Sequence, residues 1–174
     1  YIGYYSLIIG LLSSILILTL SLKSYHFKVI DKRIFPLSFF QLFFVIISFI
    51  SLVICFVVSD FSNETVFNNS HTNKPIFYKI SGTWGNHEGS LLLWLLVLTL
   101  FLFLFLFNSR NQLKQYRVLT VFFQQLIITG FFLFVLFTSN PFNYLFPRPI
   151  EGLGLNPILQ DPALAIHPPI LYVG

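Results

Sequence analysis

Four uninterrupted apolar runs, at residues 2–22, 36–58, 91–107 and 118–137, constrain this chain more than any other feature. At about 1.5 Å per helical residue, each is long enough, or nearly so, to cross roughly 30 Å of hydrocarbon. The runs are continuous rather than alternating, which excludes a β-barrel. The Phe-rich third run is apolar on every face and so is not a soluble core helix. Every Lys, Arg and Asp falls between or after the runs, as the cost of intramembrane charge requires, and Glu88 sits at the mouth of the third. Pro36 suits a first helical turn. The expected fold is all-α: a polytopic membrane helical bundle of four transmembrane helices, forming a single membrane domain over residues 1–174.

Composition agrees with this reading. Of 174 residues, 56% are hydrophobic and 9% charged, a balance that excludes an ordinary water-soluble domain. The net charge of +4 carries no nucleic-acid signal, because seven of the ten basic residues lie in two short loops between apolar runs. Cys55 has no second thiol to pair with and reads as a small hydrophobe, so any thiol chemistry must come from a partner. The absence of Met and the 23 phenylalanines read as a piece of a longer product from an A+T-rich coding sequence, of the kind common in mitochondria. The first run is too long for a signal-peptide core and is read as a retained span.

Charge sets the expected orientation. The loop after the first run carries Lys23, Lys28, Lys32 and Arg33 against Asp31, and the loop after the third carries Arg110, Lys114 and Arg117 without an acid. These loops should face the cytoplasm or matrix. The N-terminus, the loop at residues 59–83 and the loop at residues 138–169 lack a basic excess and should face the opposite, outer side. The second outer loop is rich in Pro and Gly, a composition that favours turns and extended segments. His167 stands directly before Pro168 and Pro169, at the expected mouth of a fifth span that starts at about residue 170.

The stretch "WGNHEGSLLLW" at residues 84–94 places a titratable pair, His87 and Glu88, between the only two tryptophans. If all of it is helical, Trp84, His87, Leu91 and Trp94 share one face, with Glu88 beside it. Gly85 and Gly89 then form a small-xxx-small pair against which a neighbouring helix could pack. The functional reading is an aromatic and ionisable surface that meets a planar ligand or a partner protein. The structural reading is an interfacial tryptophan belt, with His87 and Glu88 satisfying helix-end donors. For His167 the two readings are a metal or haem ligand and an interfacial hydrogen-bonding residue. His26 and His71 read as solvated, and the glycosylation patterns at Asn63 and Asn68 would matter only in a secretory compartment.

Together with "LFTSNPF" at residues 136–142 and "LNPILQDPALAIHPPILYVG" at residues 155–174, this stretch resembles the N-terminal part of the CcmF family, the haem lyase subunits of cytochrome c maturation. Residues 36–174 carry the resemblance, and the first span agrees in character only. The resemblance implies a haem-handling membrane protein that helps present haem, as substrate, for covalent attachment to apocytochrome c. By motif it makes His167 one axial ligand to the haem iron. The family's tryptophan-rich "WWD" segment and its other haem-binding histidines are not in this sequence. One histidine cannot complete a six-coordinate site, so no attachment is expected from this chain alone. The implied partners are membrane lipids, a C-terminal CcmF-like chain bearing the WWD segment, a haem chaperone, apocytochrome c and a thiol-reducing factor. Trp84, Gly85, His87, Glu88, Gly89, Trp94, Pro168 and Pro169 are expected to form the motif or partner surface.

The expected setting is the inner mitochondrial membrane, with the outer loops toward the intermembrane space, or alternatively a bacterial plasma membrane. The runner-up function is a non-catalytic structural membrane subunit of a respiratory complex, derived from a CcmF-like gene. A transporter is a distant third, because no acid lies mid-span and no pair of broken helices marks a site.

Overall fold

Each apolar run forms a helix that extends past its apolar limits at one end or both. The structure is a computed structural model that describes residues 1–27, 30–154 and 161–174. Lys28 and the Leu155 to Gln160 part of the third motif lie outside the described residues. The helices are α1 (Ile2–Phe27), α2 (Ile34–Val57), α3 (Glu64–Asn69), α4 (Ile76–Gly82), α5 (His87–Asn108), α6 (Lys114–Phe137) and α7 (Pro162–Val173), with no strand among the described residues. α1, α2, α5 and α6 are long and apolar enough to cross a membrane. The chain is an all-α polytopic membrane bundle.

Local chemistry explains the ends of α2. Before it, the Asp31 carboxylate accepts bonds from the Arg33 backbone N–H at 2.9 Å and from the guanidinium at 2.8 and 3.1 Å. Those bonds hold the Asp31 carboxyl at a pKa of about 2, below its ordinary value. After it, Ser59 takes φ 55° while Asp60 N–H donates to the Cys55 carbonyl, closing the helix with a left-handed turn. Lys79 Nζ donates to Ser59 Oγ at 2.7 Å and ties α4 to this turn.

α1 packs on α2 and α6, and α5 closes the ring against the same two helices. The face of α1 that is buried carries Gly3, Ser6, Gly10, Ser13, Ser14, Ser21 and Ser24, small residues that let backbones approach where lipid gives no hydrophobic drive. Gly10 lies against the Phe132 ring, which leaves a Cβ there only 2.8 Å of clearance. In the bundle interior, Gln125 Nε2 donates to Ser14 Oγ at 2.6 Å, and Ser14 and Thr129 share a 2.8 Å hydroxyl contact.

With α1, α2, α5 and α6 running alternately up and down, Tyr1, the end of α2, the start of α5 and the end of α6 share one end of the bundle. There the segment after α6 is knitted onto α3. Glu64 N–H donates to Asn143 O at 3.0 Å, Leu145 N–H to Ser62 O at 2.8 Å and Leu153 N–H to Phe67 O at 2.8 Å. Asn63 is buried, with its amide donating to Pro141 O at 2.9 Å and its oxygen accepting from Val66 N–H at 3.0 Å. A side chain so committed is no glycosylation acceptor; Asn68 stays exposed. His71 is less free than its polar surroundings imply. Its Nδ1 accepts from Asn73 N–H at 3.3 Å, and its Nε2 lies 3.8 Å from Glu151, whose carboxyl is held below its ordinary pKa chiefly by the Gly152 and Thr72 backbone N–H groups.

The expected loop at residues 138–169, with a span from about residue 170, is corrected at its far end. α7 starts at Pro162, where the Asp161 carboxylate accepts from Ala163 and Leu164 N–H at 2.7 and 3.2 Å. An Asp cap followed by Pro at the first helical position starts a helix well before the His-Pro-Pro sequence. His167 is therefore mid-helix rather than at a helix mouth, and Pro168 and Pro169 lie inside α7. The 12 residues of α7 are too few to span a bilayer by themselves.

Candidate functional site

The corner between α4 and α5 is built around Asn86. Its side-chain oxygen accepts from Gly89 N–H at 2.7 Å and caps α5, while its amide donates to the Gly82 and Thr83 carbonyls at 2.7 and 3.2 Å, capping the end of α4. One side chain thus satisfies orphan groups at two helix ends. The cap also starts α5 at His87, so Trp84 and Gly85 precede the helix, and the single helical face expected for Trp84, His87, Leu91 and Trp94 does not form. Gly89 is needed for a different contact from the one expected. A Cβ there would overlap the Thr83 carbonyl oxygen, so its close neighbour is the chain's own backbone and not a packing helix.

Both tryptophans nevertheless meet the same element, α7. Trp84 Nε1–H donates to the Ala165 carbonyl at 2.7 Å. Trp94 stacks on Tyr172 with centroids 5.7 Å apart and planes 7° apart, and meets Phe131 of α6 edge-on at 4.9 Å. His87 turns elsewhere: its Nε2 is 3.0 Å from Ser139 Oγ, just past the end of α6. Glu88 occupies the first turn of α5, half-buried, where a carboxylate suits the helix N-terminus. The three sequence motifs therefore converge at one end of the bundle. Residues 84–94 hold α7 through their tryptophans and hold the segment after α6 through His87.

His167 is exposed on α7, with no hydrogen-bond partner among the described residues, and Pro168 and Pro169 behind it are half-buried. Three and four residues away along the helix, Leu164, Ile170 and Leu171 are exposed and flank the imidazole on the same face. His26, by contrast, stands edge-on to Phe27 near the opposite end of the bundle. Among the described residues no cluster of three or more His, Cys, Asp or Glu could hold a metal ion.

The sequence model of a family described as cytochrome c assembly protein matches residues 84–174, beginning at the first tryptophan of the corner. The chain belongs to the cytochrome c assembly protein family. The chain is 51% identical over 134 residues to the cytochrome c-type biogenesis protein CycK of Bradyrhizobium diazoefficiens, covering 77% of this chain and 20% of that relative. It is 44% identical over 128 residues to CcmF of Escherichia coli, covering 73% of this chain and 20% of that protein. A solved structure of the cytochrome c haem lyase CcmF superposes with a TM-score of 0.81 at 27% identity, over 98% of this chain and 27% of that one. The chain spans about a fifth of the length of the curated relatives it matches.

Asn86, Ser139 and Tyr172 complete the corner without standing out in the sequence. Asn86 does carry a local signal, since Asn directly before a long apolar run marks a helix start. Ser139 and Tyr172 carry no such signal, because only the folded chain brings them to His87 and Trp94. His87→Ala is expected to lower recovery of the assembled protein by the equivalent of about 1 kcal/mol, the typical worth of one hydrogen bond. Recovery equal to wild type, read by immunoblot of the membranes, would mean that the His87–Ser139 contact does not hold the segment after α6.

Proposed function

We propose that this chain is the part of a cytochrome c haem lyase that offers one axial imidazole, His167, to haem on its way to apocytochrome c. The observation that supports this reading is the His167 face of α7. It carries an exposed imidazole with no partner among the described residues, ringed by exposed Leu164, Ile170 and Leu171. Porphyrin is flat and largely apolar, so such a rim would cover part of one haem face while the imidazole nitrogen reaches the iron. Haem is the substrate. Its attachment adds a cysteine S–H across a haem vinyl group, the sulfur bonding to carbon and the proton completing the other end of the former double bond.

The second axial donor and the site of thioether formation belong to a WWD-bearing CcmF-like chain or portion. A haem chaperone, apocytochrome c and a thiol-reducing factor act as partners. With the basic loops facing the matrix or cytoplasm, the corner and α7 face the outer side, where apocytochrome c would be met. We assign the protein to the inner mitochondrial membrane on its A+T-rich composition. CycK and CcmF above are bacterial, and fractionation of the source organism decides between that membrane and a bacterial plasma membrane.

The test is covalent haem on cytochrome c in cells whose copy of the protein carries His167→Gly. Maturation should fall by roughly tenfold or more, with His26→Gly and His71→Gly close to wild type. Normal maturation with His167→Gly would sink the reading.

A further inference from the structure

In an α-helix the carbonyl of residue i accepts the backbone N–H of residue i+4. Proline has no N–H, so Pro168 and Pro169 strip the donors from the Leu164 and Ala165 carbonyls. Leu164 is 44% exposed, where water can serve, whereas Ala165 is 3% exposed. A buried carbonyl without a donor is costly. The Trp84 indole N–H supplies that donor, 2.7 Å from the Ala165 oxygen.

We infer that Trp84 is a positioning residue for the His167 helix: its indole N–H replaces the backbone donor that Pro169 removes, and this bond fixes the rotation of α7. Two helical residues subtend about 200°, so pinning Ala165 inward turns His167 outward. The Trp94–Tyr172 stack, seven residues beyond Ala165, is a second clamp two turns along. An uninterrupted helix would already give the Ala165 carbonyl one donor, so the indole bond would be a second one that burial does not require. The prolines thus create an acceptor that is specific to one register of α7 against the corner. The consequence for haem rests on the proposed role of His167; the pairing of Trp84 with Pro169 does not.

A double-mutant cycle in the native assembly tests it. Trp84→Phe keeps a ring but loses the N–H, and Pro169→Ala restores a backbone N–H to the Ala165 carbonyl, which has lone pairs for both donors. Hydrogen exchange at the Ile170, Leu171 and Tyr172 amides should speed up about tenfold in Trp84→Phe, the scale of one buried hydrogen bond. In the Trp84→Phe/Pro169→Ala double variant it should return to within about twofold of wild type. Unchanged exchange in Trp84→Phe, or a double variant as fast as that single one, overturns the inference. If Trp84→Phe does not assemble, recovery of assembly by Pro169→Ala supports the pairing and failure in both backgrounds overturns it. The axial-ligand spectrum of bound haem should follow the same cycle, weakened and then recovered. Exchange that follows the cycle while no variant, nor wild type, shows a haem signature upholds the Trp84 assignment and overturns the haem reading alone.

Discussion

Gly89→Ala is expected to remove most of the protein from the membrane. Helix propensity points the other way, since Ala in place of Gly inside a helix gains up to about 1 kcal/mol. Packing decides the sign. The added Cβ would overlap the Thr83 carbonyl, and both sides of that contact are backbone, so no side chain can swing aside. Relief requires the end of α4 to part from the start of α5. That movement breaks the Asn86 bonds to Gly82 O, Thr83 O and Gly89 N–H, each end cap being worth about 1 kcal/mol, on top of about 1–3 kcal/mol for the overlap. It also displaces Trp84 from α7. A loss of this size exceeds what marginally stable proteins tolerate, and steady-state abundance should fall several-fold or more. Gly130→Ala is the control: it lies in α6 with nothing within 4 Å of its would-be Cβ, and its abundance should match or slightly exceed wild type. Immunoblots of membranes carrying each variant make the comparison. Normal abundance of Gly89→Ala would mean that the corner is not held as described.

On the proposed ligation of haem by His167, His167→Gly should deplete haem from the purified assembly, and added imidazole should restore part of it. Low-spin haem needs an axial donor on each face, so deleting one imidazole leaves an open coordination position that a small free imidazole can enter. The rescue separates ligation from folding. Glycine in mid-helix also weakens α7 by about 1 kcal/mol, but imidazole does nothing for a weakened helix. His167→Ala, with less backbone cost, should respond to imidazole in the same way. His26→Gly and His71→Gly should keep their haem, since His26 lies toward the other end of the bundle and His71 is engaged by Glu151. Haem retained by His167→Gly, or haem lost and not recovered with imidazole, removes His167 from the iron.

Four spans, their order and the segregation of charge were legible in the sequence because they follow from one-dimensional quantities: the length of an apolar run and the cost of charge in hydrocarbon. The three motifs were legible through their resemblance to the CcmF family. Which face of each span is buried was not. α1 is apolar almost throughout, and its interior face is marked by Gly3, Ser6, Gly10 and Ser13, residues that a hydrophobicity pattern scores as weak. In lipid, burial follows close backbone approach rather than oiliness. The start of the helix at residues 162–173 was misplaced because Pro168 and Pro169 read locally as a helix entrance. Their cost is met in part from 81 residues away, where Trp84 donates to the Ala165 carbonyl. The sequence by itself determined what could cross a membrane and where chemistry could sit. Only the tertiary structure decided that the two tryptophans grip α7 and turn His167 outward, because a lost backbone donor can be replaced by any N–H that the fold brings within reach.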